Sequence, residues 1–398
     1  MRLAMVVHAY YPHDVRVRRQ VEALADRGDS VDVICLRNHG EQPVEQIGNA
    51  TVHRLPVRHL RGQGVLGYLK EYAAFFALAT LALTRLYFRH RYAVVQVHNM
   101  PDFLVFTAVI PKCLGSRVVL DMHDVTPELY QSLYGIDQKS GIFHLLTFVE
   151  QASLAFADRV LTVNRNIRDL FLTRNPIAHK MEVVMNAPDP RYFKQRGSCS
   201  RSTNGTFKLF HHGQILRRYN FETALEGVRL AGQKLPCEVS LDIYGDGEEA
   251  YIDEIKTRAS SLGMDRCVRF HDRVPVERVP DLISQADVGL VPCRKDVFVD
   301  TVMLPVRLLE YVAMGLPSVV SRVGTVESYF DDSQVGYYRH DSPDELSDKI
   351  VELYEDQRLR TDRAREALRA FDGLDWPAMV KRYYRVIDDA AHGGSSCP

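Results

Sequence analysis

The chain is poor in the features that mark several protein classes. Its seven cysteines (35, 113, 199, 237, 267, 293 and 397) are scattered, and no two stand in a C-x-x-C spacing. Neither a zinc knuckle nor a disulfide framework is indicated, and reduced thiols are expected. Charge of one sign is also missing: 50 basic residues face 51 acidic ones, for a net charge of −1. Binding to nucleic acid through bulk charge is thereby disfavoured. The longest apolar run, residues 73–83, is shorter than the ~20 residues that a membrane span needs. The opening MRLAMVVHAYYP has no small-residue cleavage site and reads as a buried strand rather than a signal peptide. No Asp-x-Asp pair stands between a strand and a loop to hold magnesium. These absences lead to the expectation of a cytoplasmic, metal-independent globular protein.

What is present is alternation. With 398 residues, 46% of them hydrophobic and 25% charged, the chain has ordinary globular composition and suits two cores better than one. Short apolar runs at 3–8, 31–36, 94–97, 118–121, 159–163 and 182–185 read as strands, with helical periodicity between them, as at 17–27. After the Ser- and Gly-rich stretch 196–205 the pattern restarts, with strands at 207–211, 238–244, 268–271, 288–291 and 318–321. Such β–α–β order predicts parallel sheets covered by helices on both faces. The last segment, 376–391, is helical in period.

Ligands of open α/β sheets bind beyond the carboxyl ends of strands, where helix N-termini favour anions. Four loops there carry chemistry. The first follows strand 3–8 and holds Asp14, Arg16, Arg18 and Arg19, which would equally suit a solvated helix face. The second, Asp121-Met122-His123-Asp124, leads into Thr126, Pro127 and Glu128. Two carboxylates and a histidine at a strand tip are costly to bury without a purpose. The third, His212-Gly213-Gln214, precedes Arg217 and Arg218, and Tyr244-Gly245-Asp246-Gly247 ends the next strand. Glycines let a phosphate approach the backbone, and guanidinium groups neutralise it. Finally, Pro305 opens a helix with Leu308, Leu309 and Val312 as its buried stripe, and Gly315 closes it. Arg307 and Glu310 lie three apart on one side. A cation in a helix's first turn opposes the dipole, which suggests an anion such as a diphosphate, and Glu310 suits ribose hydroxyls. A surface Arg–Glu pair is the plainer alternative. A literal G-x-G-x-x-G at Gly62, Gly64 and Gly67 lacks both the buried strand before it and the acid after it that a dinucleotide site requires.

The stretches HHGQILRRYNFETALEGV, IYGDGEE, ADVGLVP and LPVRLLEYVAMGLPSVVSR, with DVRVRRQVEALADRG, LDMHDVTPE and VVMNAPDPRYF before them, together resemble the retaining glycosyltransferases of family 4. The resemblance covers nearly the whole chain and implies the α/β fold called GT-B, two Rossmann-like domains facing across a cleft. Residues 1–195 would bind the acceptor, 196–205 link, 206–375 bind the nucleotide sugar, and 376–398 cross back to the N-terminal domain as a helix and tail. It implies His123, Arg218 and Arg307 as catalytic groups. Gly213, Arg217, Gly245, Gly247, Glu310 and Leu309 would hold the donor, and Asp14, Arg16, Asp124 and Glu128 would line the acceptor cleft. The chain departs from the family at Val302, where the first glutamate of E-x7-E belongs, and at Gln214 and Tyr219, where Arg and Lys are usual. His13 and Asp14 replace the usual glycine pair. The implied co-substrate is a UDP- or GDP-sugar, with no cofactor and no metal. The acceptor would be a glycan or a lipid-linked sugar in polysaccharide synthesis, with a catalytically inactive nucleotide-sugar-binding subunit as the alternative. Seven basic residues and one acid between 54 and 91 add the expectation of a peripheral site at the inner membrane face.

Overall fold

The computed structural model describes residues 1–59, 65–194 and 205–393. Gly62, Gly64 and nearly all of the expected linker 196–205 lie outside the described residues. The chain divides into two compact units, one of residues 1–186 with 379–398, the other of 187–378.

The first unit is built on eight strands: β1 (Arg2–Tyr10), β2 (Ser30–Leu36), β3 (Val44–Ile47), β4 (Ala50–Leu55), β5 (Val94–His98), β6 (Arg117–Met122), β7 (Arg159–Thr162) and β8 (Met181–Val183). They lie in the order β3-β4-β2-β1-β5-β6-β7-β8. All pairs are parallel except β3 with β4. Central strands covered on both faces read as unbroken apolar runs, and β5 is buried at every position. The second unit holds β9 (Thr206–His212), β10 (Glu238–Tyr244), β11 (Val268–His271), β12 (Val288–Val291), β13 (Ser318–Ser321) and β14 (Gly336–Tyr338). Its order, β11-β10-β9-β12-β13-β14, is the doubly wound 3-2-1-4-5-6 arrangement. The connections reverse beside β9, as they do beside β1 in the first unit. A crevice for a ligand opens outside the strand ends at such a point.

Three helices of the first unit start in or run through the segments described above. Asp14 caps helix α1 (Val15–Asp26) by accepting from the Arg16 N–H. Helix α2 (Val65–His90) has 26 residues, far more than the apolar run at 73–83 implied. Phe75, Ala79 and Leu83, all fully buried, set one of its faces on the sheet, at about 1.5–3 kcal/mol for each large side chain. Helix α3 (Thr126–Tyr134) starts with Pro127 in its first turn and ends at Gly135. Gly135 takes a φ of 63°, a left-handed conformation that favours glycine.

The final helix, α6, is reached after α4 (Gly141–Phe156) and α5 (Val306–Met314). It runs over Trp376–Ala391, and from Met379 onward it packs in the first unit. There Tyr383 Oη donates to Gln96 Oε1 (2.8 Å), Tyr384 Oη donates to the Ala23 carbonyl (2.6 Å), and Asp388 pairs with Arg27 (2.8 Å).

Candidate functional site

In the second unit the loops after β9 and β10 run side by side. The Gly213 N–H donates to the Tyr244 carbonyl (2.9 Å) and the Ile215 N–H to the Asp246 carbonyl (2.7 Å). They approach so closely that a Cβ on Gly245 would sit 1.8 Å from the Gly213 carbonyl oxygen, and one on Gly247 2.1 Å from that of Ile215. Both positions require glycine for this contact between the two loops.

Over this platform lies Arg307. Pro305 caps α5 and Gly315, in the left-handed region at φ 71°, ends it. The Arg307 side chain turns inward and is 7% exposed. Its guanidinium stacks on the Tyr219 ring, 4.0 Å from the centroid, and its Nη2 lies 3.1 Å from where a Cβ on Gly213 would be. It also contacts the buried imidazole of His211. His211 Nδ1 sits 3.1 Å from the Leu290 carbonyl; donating there, it leaves Nε2 to accept from Arg307. Burial first, and the Arg307 charge second, hold His211 well below its ordinary pKa, so the imidazole is neutral. Among the described residues no carboxylate pairs with Arg307 or Arg218, whereas Arg217 and Arg294 each have one. A buried cation without a counter-ion is costly, and an anionic ligand is the natural remedy.

Arg218 sits over the Phe298 ring at 5.2 Å. Burial pushes the Cys293 thiol, just past β12, up to about 12, and Arg307 and Arg218 both pull against it. The two guanidinium groups therefore share one neighbourhood. Glu310 joins them one turn on, its Oε2 3.0 Å from His212 Nε2. Two expected donor residues do not join. Arg217 is drawn to Glu254 (2.6 Å) with its side chain 57% exposed, because the helix Glu249–Ser261 offers a carboxylate on its outer face. Leu309, 1% exposed, is core, and its side chain has no surface to give a ligand. Val302 is likewise buried.

In the first unit Asp14, at the end of β1, binds Arg16 through both oxygens (3.1 and 2.8 Å). Burial alone would raise its carboxyl. The Arg16 hydrogen bonds and charge, with His123 and His98 beyond, hold it far below the carboxylate range instead. Asp121 and His123 stand at the end of β6 and His98 at the end of β5. Asp121 Oδ2 lies 3.2 Å from both His98 Nδ1 and His123 Nε2, and the two rings stack 7° from parallel. Burial opposes the charge on Asp121, but the two histidines outweigh it and keep the carboxylate ionised. Their three ligand atoms lie within 4.8 Å of one another, and two imidazoles with a carboxylate suit a divalent cation such as zinc. Gln20 already donates to the same Asp121 oxygen (2.8 Å), and Gln96 donates to Gln20 (2.6 Å).

The His123 backbone N–H is spent on Asn99 Oδ1 (2.8 Å). Its Nδ1, by contrast, is buried with no hydrogen-bond partner among the described residues. Asp124 stays beside Asn99, whose amide donates to its carbonyl (2.7 Å). Glu128 does not belong to this group. It is 5% exposed and bound by Arg174 at 3.0 and 3.1 Å, with Glu150 on the same guanidinium at 3.2 Å.

That triad carries a pH signature. Burial pushes Glu150 from 4.5 up to about 8, against the pull of Arg174. Between those values the folded chain binds this proton more tightly than the unfolded chain does, so stability falls as pH rises through the window. Glu150→Gln is expected to remove the slope and melt above the parent at pH 8, by about 2–4 kcal/mol more than at pH 5. Thermal denaturation of both proteins at the two pH values checks this. A constant difference would discard it.

His98, Gln20, His211 and Tyr219 were not among the residues singled out as functional. His211 and His98 end buried strands and read as core; only a polar residue closing an apolar run signals them. Tyr219 was legible only as a departure from a family pattern, and the structure gives it a use as the surface on which Arg307 rests.

Residues 13–187 match the glycosyl transferase 4-like domain family, and residues 206–356 match the glycosyl transferases group 1 family. The chain is 23% identical over 161 residues to the amylovoran biosynthesis glycosyltransferase AmsK of Erwinia amylovora, covering 40% of this chain and 38% of that protein. The alignment thus spans well under half of this relative. Sucrose-phosphate synthase from Thermosynechococcus elongatus superposes with a TM-score of 0.76 at 16% identity, covering 99% of this chain and all of that one. HepE of Anabaena, solved in complex with UDP and glucose, gives 0.70 at 15% identity and covers 98% of this chain and all of the other. At such identities the likeness is one of fold, and that fold is GT-B.

Proposed function

We propose that this chain, which belongs to the glycosyl transferases built from a 4-like domain followed by a group 1 domain, moves a sugar from a nucleoside diphosphate sugar to a glycan or lipid-linked hydroxyl with retention. The observation that carries the reading is Arg307, a buried guanidinium with no carboxylate partner among the described residues, seated over the glycine loop at the tip of β9. A diphosphate supplies the missing negative charge. Glu310 takes the ribose hydroxyls. HepE, solved with UDP and glucose, supports uridine as the first base to test.

The protein supplies no nucleophile in this scheme. As the bond from anomeric carbon to phosphate oxygen stretches, charge grows on the departing diphosphate, and Arg307 and Arg218 stabilise it. The departing oxygen takes the acceptor's proton on the same face. In the first unit the unpartnered Nδ1 of His123 holds a sugar hydroxyl, while ionised Asp121 fixes the ring's orientation through Nε2. The Asp14–Arg16 pair borders the acceptor.

The test is a thermal-shift panel with UDP, GDP, dTDP and their sugars. A shift specific to one nucleotide is expected, since a ligand at 100 times its Kd stabilises by roughly 2.7 kcal/mol. Glu310→Ala should weaken that nucleotide at least about tenfold, the equivalent of one or two lost hydrogen bonds to a charged group. Equal shifts for parent and variant would withdraw Glu310 from the donor site. A binding-only subunit would show the shift and release no nucleoside diphosphate with any acceptor. We expect release.

A further inference from the structure

Among the described residues seventeen large apolar side chains stay exposed, and twelve of them crowd onto four neighbouring helices of the first unit. They are Leu66, Leu69, Leu81 and Phe88 on α2; Leu133 and Tyr134 on α3; Ile142, Leu145 and Phe148 on α4; and three at or just after the short helix Val109–Cys113. The second unit exposes two. A patch this concentrated marks an interaction surface.

Helix α2 is apolar on both sides. One face packs on the sheet through Phe75, Ala79 and Leu83. The opposite face runs from Leu66 through Ala73, Ala77 and Leu81 to Phe88 and is open. By length and composition the helix is able to cross a membrane, yet 22% of its most apolar window is buried within the fold. Crossing would strip Phe75, Ala79 and Leu83 from the core. Lying flat, with the open face in the headgroup boundary, keeps them there. On α4, Ile142, Leu145 and Phe148 repeat every third residue, so they form one stripe. The segment Asp102–Ala108 joins the two helices: Phe103 meets Phe76 of α2 at 5.8 Å and Phe106 meets Phe156 of α4 at 5.1 Å.

Charge names the occupant. Lys70, Arg85, Arg89 and Arg91 are exposed along α2 and at its end. The sole acid in residues 65–91, Glu71, is 8% exposed and held by His8 and His59 at 3.0 and 2.8 Å. On α4 the sole acid is the buried Glu150. Asp137, in the turn before α4, is exposed beside Lys139. Apolar stripes bordered by cations and cleared of anions match an anionic bilayer, where each surface Lys or Arg contributes ~1 kcal/mol.

We propose that the face formed by α2, the end of α3 and α4 seats the first unit in the plane of an anionic lipid bilayer. The inference stands apart from the transfer reading, because vesicle binding is read without donor or acceptor. The full chain should float with phosphatidylcholine–phosphatidylglycerol vesicles at least about tenfold more strongly than with phosphatidylcholine alone, and lose that preference in high salt. Leu145→Glu with Phe148→Glu, and separately Arg85→Glu with Arg89→Glu, should each weaken flotation by at least about tenfold. Both variants should keep the parent's circular dichroism melt. Failure of the full chain to float with anionic vesicles at low salt would overturn the proposal, as would unimpaired flotation of the Leu145/Phe148 variant. So would a stable dimer of the parent, split by those substitutions, since the face would then join two copies of the chain.

Discussion

Arg307→Ala is expected to lower kcat/KM for sugar transfer by about 10²–10³-fold, the usual cost of removing one preorganised charge from a transition state. Its melting temperature should hold or rise. Among the described residues no carboxylate offsets the cost of burying Arg307, and replacing such a charge by an apolar group is often neutral or stabilising. The pairing of outcomes is diagnostic. A guanidinium kept for packing would lower stability when removed and spare turnover; one kept for the substrate does the reverse. Arg307→Lys should not rescue activity, because an ammonium lacks the planar face that rests on Tyr219 and the fork that grips two phosphate oxygens. Steady-state kinetics beside thermal melts of the three proteins decide the matter. A turnover loss under about tenfold in Arg307→Ala would place the diphosphate elsewhere.

Gly245→Ala is expected to destabilise the fold by about 3–5 kcal/mol and to abolish the nucleotide thermal shift. The added Cβ would lie 1.8 Å from the Gly213 carbonyl oxygen and 3.0 Å from its carbon. Both are backbone atoms, so no side chain can swing aside. The two loops must part, and with them go the Gly213–Tyr244 and Ile215–Asp246 hydrogen bonds. The control is Gly232→Ala, where the nearest atom to the new Cβ is 4.0 Å away. Within a helix that change should be neutral or stabilise by about 0.5–1 kcal/mol. A Gly245→Ala protein that melts with the parent and still responds to nucleotide would disprove the close approach of the loops.

The strands most legible in the sequence were those buried on both faces, where a parallel sheet writes an unbroken apolar run, as in β1, β5 and β9. β3, β4 and β14 escaped notice for physical reasons. β4 carries His53 and Arg54 beside the antiparallel edge strand β3, and β14 is three residues long. Helix α2 was foreshortened because Lys70, Glu71 and Arg85 interrupt its apolar run without interrupting the helix. In the candidate site, the glycines and the Arg307–Glu310 spacing were legible, since steric need and helical period are both local. Arg217, Leu309 and Glu128 misled for one shared reason. What removes each of them, namely Glu254, the core and Arg174, is supplied by a distant stretch of chain, and spacing along a sequence carries no trace of it.

The placement of α6 has a consequence for how the molecule is made. Tyr383 closes a buried relay through Gln96 and Gln20 to Asp121, so the first unit's innermost polar groups are completed by residues translated after the whole second unit. A nascent chain leaving the ribosome holds the second unit's whole sequence before it can finish the first. During that interval Gln96 lacks its phenol and the α1 surface lacks its cover. A chain truncated before Trp376 should accordingly lose the N-terminal half's cooperative melt rather than the C-terminal half's, and depend on chaperones from the start of synthesis.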